Sequence, residues 1–159
     1  MAVAQKTPMS RLVNWARAKS LWIFPFGECA CTAERTASIA APGDLERWGA
    51  RVFSGVPEQA DVLLLGGRIS LKMLPVLKET YERMPEPKWV VAFGGCACAA
   101  ADRPARSPVQ TGGFYDTYAQ VQDIGRFVPV DASVPGCPPR IEDLIDAIEG
   151  LQRKISRNG

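Results

Sequence analysis

The chain has 159 residues, a length that fits one domain, and 47% of them are apolar, enough to bury a real core. Charged residues make up 23% and the formal net charge is +2 with no run of Lys or Arg, so no nucleic-acid partner is expected. The absence of histidine removes Ser-His-Asp triads, His-activated cysteine nucleophiles, His-ligated catalytic zinc and Rieske centres.

Residues 9–19, MSRLVNWARAK, place Leu12, Val13, Trp15 and Ala16 near helical spacing. They predict a short amphipathic helix within an N-terminal arm over residues 1–20. Such an arm packs on its own domain or on a neighbour, with attachment to a membrane surface as the alternative. Residues 21–26, LWIFPF, are the longest apolar run near the N-terminus. That is far short of the roughly 20 residues a membrane span requires, and no small-residue cleavage site follows it. A cytoplasmic location is therefore expected.

Residues 47–53, RWGARVF, offer a strand. Residues 60–66, ADVLLLG, form a continuous apolar run closed by Gly66 and Gly67, the pattern of a buried parallel strand. Residues 69–84 then set Ile69, Met73, Val76, Leu77 and Tyr81 on one helical face, with a kink expected at Pro75. A second buried strand follows at 88–93, KWVVAF, and an irregular loop at 99–118. A third, shorter strand is predicted at 126–130, RFVPV. The last helix covers 140–155, with Ile141, Leu144, Ile145, Ile148 and Leu151 at helical spacing. Strand, helix, strand in this order predicts one parallel α/β domain over residues 1–159.

All five cysteines fall in three glycine-marked knots, GECAC at 27–31, GGCAC at 94–98 and PGCPP at 135–139. Two of the knots follow predicted strands, at the sheet edge where α/β folds bind ligands. In a reducing compartment such thiols bind metal or do redox chemistry more often than they form disulfides. A tetrathiolate zinc site uses paired Cys-x₂₋₄-Cys knuckles, whereas here the spacings are Cys-x-Cys and one cysteine stands alone. Inert buried cysteines belong inside core elements, and these are expected in loops. An iron–sulfur cluster takes four thiolates from scattered loops and accommodates the pattern best, with zinc as the alternative.

Three segments carry a resemblance: SLWIFPFGECACTAE (20–34), QADVLLLGGRISLKMLPVLKETYERMPEPKWVVAFGGCACA (59–99) and GRFVPVDASVPGCPPR (125–140). Together they resemble the small, cluster-bearing subunit of respiratory complex I, related to nickel–iron hydrogenase small subunits. The resemblance implies a flavodoxin-like α/β domain with one [4Fe–4S] cluster at the C-terminal ends of its strands, held against a large catalytic subunit. It implies an electron-transfer subunit, incomplete as an enzyme alone, peripheral on the cytoplasmic side of a membrane. Its partners would be the large subunit, other cluster-bearing subunits, membrane subunits and quinone. No G-x-G-x-x-G follows a strand, so NADH is expected to bind elsewhere. A hydrogenase small subunit and a zinc-stapled scaffold subunit are the alternatives.

The ligands implied are Cys31, Cys96 and Cys137, with Cys29 as the fourth and Cys98 as the unused thiol. The family's C-C-x-x-E appears here as Cys29, Cys31 and Glu34, so Cys29 needs a bend at Gly27 to join the set. Glu34 resembles the family's acid near the quinone end, or else serves a helix start. Arg68, Lys72 and Arg140 either donate hydrogen bonds to a cluster or are solvated. Met73 resembles a position near the quinone cavity but reads as a core helix residue. Trp22, Phe24 and Phe26 are expected to pack against the large subunit.

Overall fold

The computed structural model describes residues 8–27, 31–37, 44–52, 55–101, 118–121 and 124–157. Helix α1 (Pro8–Ala18) leads into β1 (Leu21–Phe26), α2 (Cys31–Ala37), β2 (Ala50–Val52) and β3 (Val62–Gly66). There follow α3 (Leu74–Arg83), β4 (Trp89–Phe93), α4 (Gly95–Ala101), β5 (Ala132–Val134) and α5 (Ile141–Arg157). The five strands are all parallel and lie in the order β2-β1-β3-β4-β5. This is the doubly wound, flavodoxin-like order. Among the described residues no helix is long and apolar enough to cross a membrane.

Side chains alternate across a strand, and that alternation divides the apolar runs between two cores. Val62 and Leu64 of β3 and Val91 and Phe93 of β4 join Leu144, Ile148, Leu151 and Ile155 of α5. Leu63, Leu65, Val90 and Ala92 join Leu77, Met84, Ala97 and Val128 on the opposite face. A parallel strand buried on both faces reads in sequence as an unbroken apolar run, which is why β3 and β4 are legible there.

Two aspartates tie the strands together at their amino ends. Asp61 Oδ2 accepts from the Trp22 N–H at 3.0 Å, and the Asp61 N–H donates to the Trp22 carbonyl at 2.9 Å. Asp131 repeats the device on Val90, accepting at 3.1 Å and donating at 2.8 Å, and its other oxygen accepts from Lys154 Nζ at 2.6 Å. Burial pushes the Asp61 carboxyl above the usual carboxylate range, opposed in part by the Trp22 N–H and by Arg17. A raised folded value means that the native state holds this proton more tightly than the unfolded chain does. The associated stability is full below the unfolded carboxylate value, about 3.9, and is lost as pH rises through the folded value. Asp61→Asn keeps an acceptor for Trp22 and removes the charge. Its thermal midpoint is therefore expected to gain on that of the parent between pH 4 and pH 7; a difference independent of pH would refute the burial account.

Several expectations are corrected. The strand predicted at 126–130 is instead Ala132–Val134. Residues Ile124–Arg126 form a 3-10 turn, and Val128 fills the second core from a connecting segment. Helix α3 begins at Leu74, so Pro75 lies in its first turn, where the missing N–H interrupts no hydrogen bond and causes no kink. Residues 69 and 73 therefore lie outside the helix and share no helical face with Leu77 and Tyr81. Leu77 and Thr80 point inward, with the Thr80 hydroxyl donating to the Val76 carbonyl at 2.8 Å. Met73 and Val76 are exposed, so Met73 is not a core residue. Residues 99–101 belong to α4 rather than to a loop, and 102–117 lie outside the described residues.

The run LWIFPF is strand β1, between β2 and β3. Phe26 is buried in the second core, which removes it from any partner surface, and Phe24 is half-buried against the same core. Trp22 is half-buried as well. Pro25 sits within β1, opposite Leu64 of β3.

Candidate functional site

The three cysteine knots meet at the carboxyl edge of the sheet. Cys31 opens α2 after β1, Cys96 lies in the first turn of α4 after β4, and Cys137 follows β5 and Gly136. The β4–β5 ladder runs on past both strands. The Gly94 N–H donates to the Val134 carbonyl at 2.8 Å, and the Gly95 N–H to the Gly136 carbonyl at 2.5 Å. Those bonds hold the second and third knots side by side. The first knot reaches the same point through Gly94: a Cβ built there would lie 2.6 Å from Cys31 Sγ and 3.8 Å from the Gly136 carbonyl oxygen. Gly94 has φ +92, a region that side chains avoid, so glycine is required both for the turn and for the approach of the sulfur. Gly27, at φ +80, likewise turns the chain out of β1, and a Cβ there would collide with the Gly66 carbonyl.

Cys31 is buried, Cys96 half-buried and Cys137 exposed. Cys98 is also buried, but its Sγ donates to the Ala92 carbonyl at 3.4 Å. It sits in the second core with Ala97, Val121 and Ile124, whereas Cys31 belongs to the first. Two residues apart on a helix, Cys96 and Cys98 leave opposite sides of α4. The expectation that no cysteine lies within a helix is thus corrected, since Cys31, Cys96 and Cys98 all occupy helical residues. Among the described residues, no three His, Cys, Asp or Glu side chains converge on a single-ion position. Cys29 lies outside the described residues.

Glu34 is half-buried in the first turn of α2, where a carboxylate complements the helix end. Arg68 and Lys72 are exposed after β3. The backbone N–H of Arg140 donates to Asp143 Oδ2 at 3.2 Å, a cap on α5. Leu71 and Met73, between β3 and α3, and Val76, in the first turn of α3, are exposed apolar side chains. Residues 118–121 lie against the same stretch: the Leu71 N–H donates to the Ala119 carbonyl at 3.0 Å and the Val121 N–H to the Ile69 carbonyl at 2.9 Å. Helical spacing that includes Met73 and Val76 in the buried face hides this apolar patch, because the structure buries Leu77 and Thr80 and leaves Met73 and Val76 exposed.

Residues 34–151 match the family model for the NADH ubiquinone oxidoreductase 20 kDa subunit. The chain is 45% identical over 150 residues to an NADH-quinone oxidoreductase subunit of Campylobacter fetus, covering 94% of this chain and 82% of that one. It is 45% identical over 149 residues to NADH-quinone oxidoreductase subunit 6 of Thermus thermophilus, with 94% and 76% covered. Among solved structures it is similar to a chain of the membrane-bound sulfane sulfur reductase, an archaeal respiratory membrane complex. There the TM-score is 0.77 and the identity 35%, over 92% of this chain and 76% of that one. A chain of an NAD+-reducing nickel–iron hydrogenase shares the fold at TM-score 0.55 and 19% identity, over 85% and 92% of the two chains.

Proposed function

Since the chain belongs to the NADH ubiquinone oxidoreductase 20 kDa subunit family, we propose that it is the electron-transfer subunit of a complex I-type oxidoreductase. In this reading Cys29, Cys31, Cys96 and Cys137 hold one [4Fe–4S] cluster, and electrons leave toward quinone at the interface with a large subunit. The observation that carries it is the meeting of the three knots at Gly94, which has no side chain to obstruct the Cys31 sulfur. Thiolates from separate loops suit a cubane, in which each sulfur ligates a different iron. They suit it better than a zinc ion, on which all four sulfurs must converge at about 2.3 Å.

Such a cluster supplies one-electron transfer when bound. The chain's own residues bind and shield it. Burial of Cys31 keeps water from its sulfur, and the Gly95–Gly136 hydrogen bond holds Cys96 and Cys137 on adjacent segments. Exposed Leu71, Met73 and Val76 beside this edge support docking of the large subunit there. Other cluster-bearing subunits and membrane subunits complete the assembly, and the relatives' names support quinone as acceptor. The relative at 35% identity makes sulfane sulfur the second reading of the acceptor. Reduction of one acceptor and not the other by the assembled complex decides between them.

Protein purified anaerobically with its large subunit is expected to contain about four irons and four sulfides per chain. Stoichiometric zinc without iron would overturn the proposal.

A further inference from the structure

The amino edge of the sheet, opposite the cysteines, carries a basic groove. Helix α1 packs along α5. Lys19, just past α1, faces the last turns of α5 across a hollow of about 400 Å³ that Trp48 and Gln152 also line. A second hollow of about 220 Å³ shares Lys19 and runs to Ala50 and Arg51 of the edge strand β2. Gln152 is buried, and its Nε2 donates to the Trp48 carbonyl at 2.6 Å, which fixes the 3-10 turn Leu45–Trp48 against α5.

Charge in this groove is unbalanced. Glu46 is held by Arg51 at 3.1 Å and Glu149 by Arg153 at 4.0 Å. Among the described residues no carboxylate pairs with Lys19 or Arg157, and both side chains are exposed. Arg47 adds a further cation, 6.0 Å from the centre of the Trp48 ring. The indole is half-buried and gives these cations an apolar neighbour.

We propose that the groove receives an extended acidic segment of a second protein subunit, with carboxylates toward Lys19 and Arg157 and an apolar side chain against the Trp48 indole. Complementary charge across an interface sets orientation and excludes wrong partners, and Trp and Arg are favoured anchors. A compact anion such as phosphate is a poorer occupant, because Arg157 and Arg51 belong to different hollows joined only at Lys19. A bilayer is poorer as well, since a flat surface does not fill a concave one. The inference uses the proposed function only for the existence of an assembly. It makes no demand on the cluster or the acceptor, so iron content and the behaviour of Lys19 fail separately.

The test is amine acetylation and zero-length carbodiimide cross-linking of the complex purified with its partner subunits, read by mass spectrometry. Lys19 should be acetylated several-fold more slowly in the complex than in the isolated chain. The carbodiimide should join it to an Asp or Glu in a partner segment where acids outnumber bases. Lys19→Arg should keep the assembly. Lys19→Glu with Arg157→Glu should weaken retention of that subunit by up to roughly fivefold for each ion pair lost, and added salt should weaken it in the parent. The melting temperature and iron content of the chain should not change, because both side chains are exposed and lie at the opposite edge from the cysteines. Four outcomes would overturn the proposal. One is equal acetylation of Lys19 in the complex and in the isolated chain. Another is full retention of every subunit by the double variant. The third is a cross-link from Lys19 to a second copy of this chain. The last is protection of Lys19 by phosphatidylglycerol vesicles and by no subunit.

Discussion

Serine in place of Cys31, Cys96 or Cys137 is expected to destroy or convert the cluster, while serine at Cys98 leaves it intact. The three sensitive cysteines follow β1, β4 and β5 at one sheet edge, with the Cys31 sulfur lying over Gly94. Cys98 sits on the other face of the sheet with its thiol on the Ala92 carbonyl. Reaching the site would require α4 to turn about its axis and pull Cys98 out of a core it shares with Ala97 and Ile124. Cys29 is the proposed fourth ligand and should behave like the sensitive three. Iron content and the paramagnetic resonance spectrum of the anaerobic complex report the result. Loss of the cluster in Cys98→Ser together with its retention in Cys29→Ser would reverse the assignment and make the second knot the paired one.

Gly94→Ala is expected to damage both the stability of the domain and the cysteine site. Its φ of +92 strains any side chain, at a cost of about 1–3 kcal/mol. The new Cβ would also stand 2.6 Å from Cys31 Sγ, with Cys31 buried and unable to swing into solvent. For a domain of this length each kcal/mol lowers the melting temperature by roughly 2–4 °C, and the displaced sulfur should lower iron content as well. Gly150→Ala is the control. It lies within α5 with nothing within 4 Å of its would-be Cβ, so alanine should stabilise the helix by about 0.5–1 kcal/mol. A Gly94→Ala protein with normal melting and normal iron would mean that Cys31 does not lie over Gly94 in the assembled protein.

The two knots on β4 and β5 are readable because glycines mark the ends of strands. The apolar run of β4 locates Cys96 at the carboxyl edge without any knowledge of tertiary contacts. The third strand lies later than its apolar pattern suggests, because Phe127, Val128 and Val130 look like a strand while serving as a connection; Val128 satisfies its hydrophobicity in the second core without joining the sheet. The first strand is hidden by Pro25, which offers no N–H to a ladder and so argues in sequence against a strand inside a sheet.

Composition and periodicity by themselves determined that this chain builds a parallel α/β domain with an amphipathic last helix, and that its thiols gather at strand ends. Those features depend on which residues avoid water, and a local pattern records that directly. Three others were decided only by the tertiary structure. They are the start of α3 at Leu74, which leaves Met73 outside the helix and exposed, the opposite faces taken by Cys96 and Cys98, and the outward turn of the apolar stripe on α1. The reason is the same in each case. A helical stripe has one spacing whether it meets a core, a partner or a bilayer, and only the packing of α1 through Ser10, Asn14 and Ala18 shows which side remains to be covered.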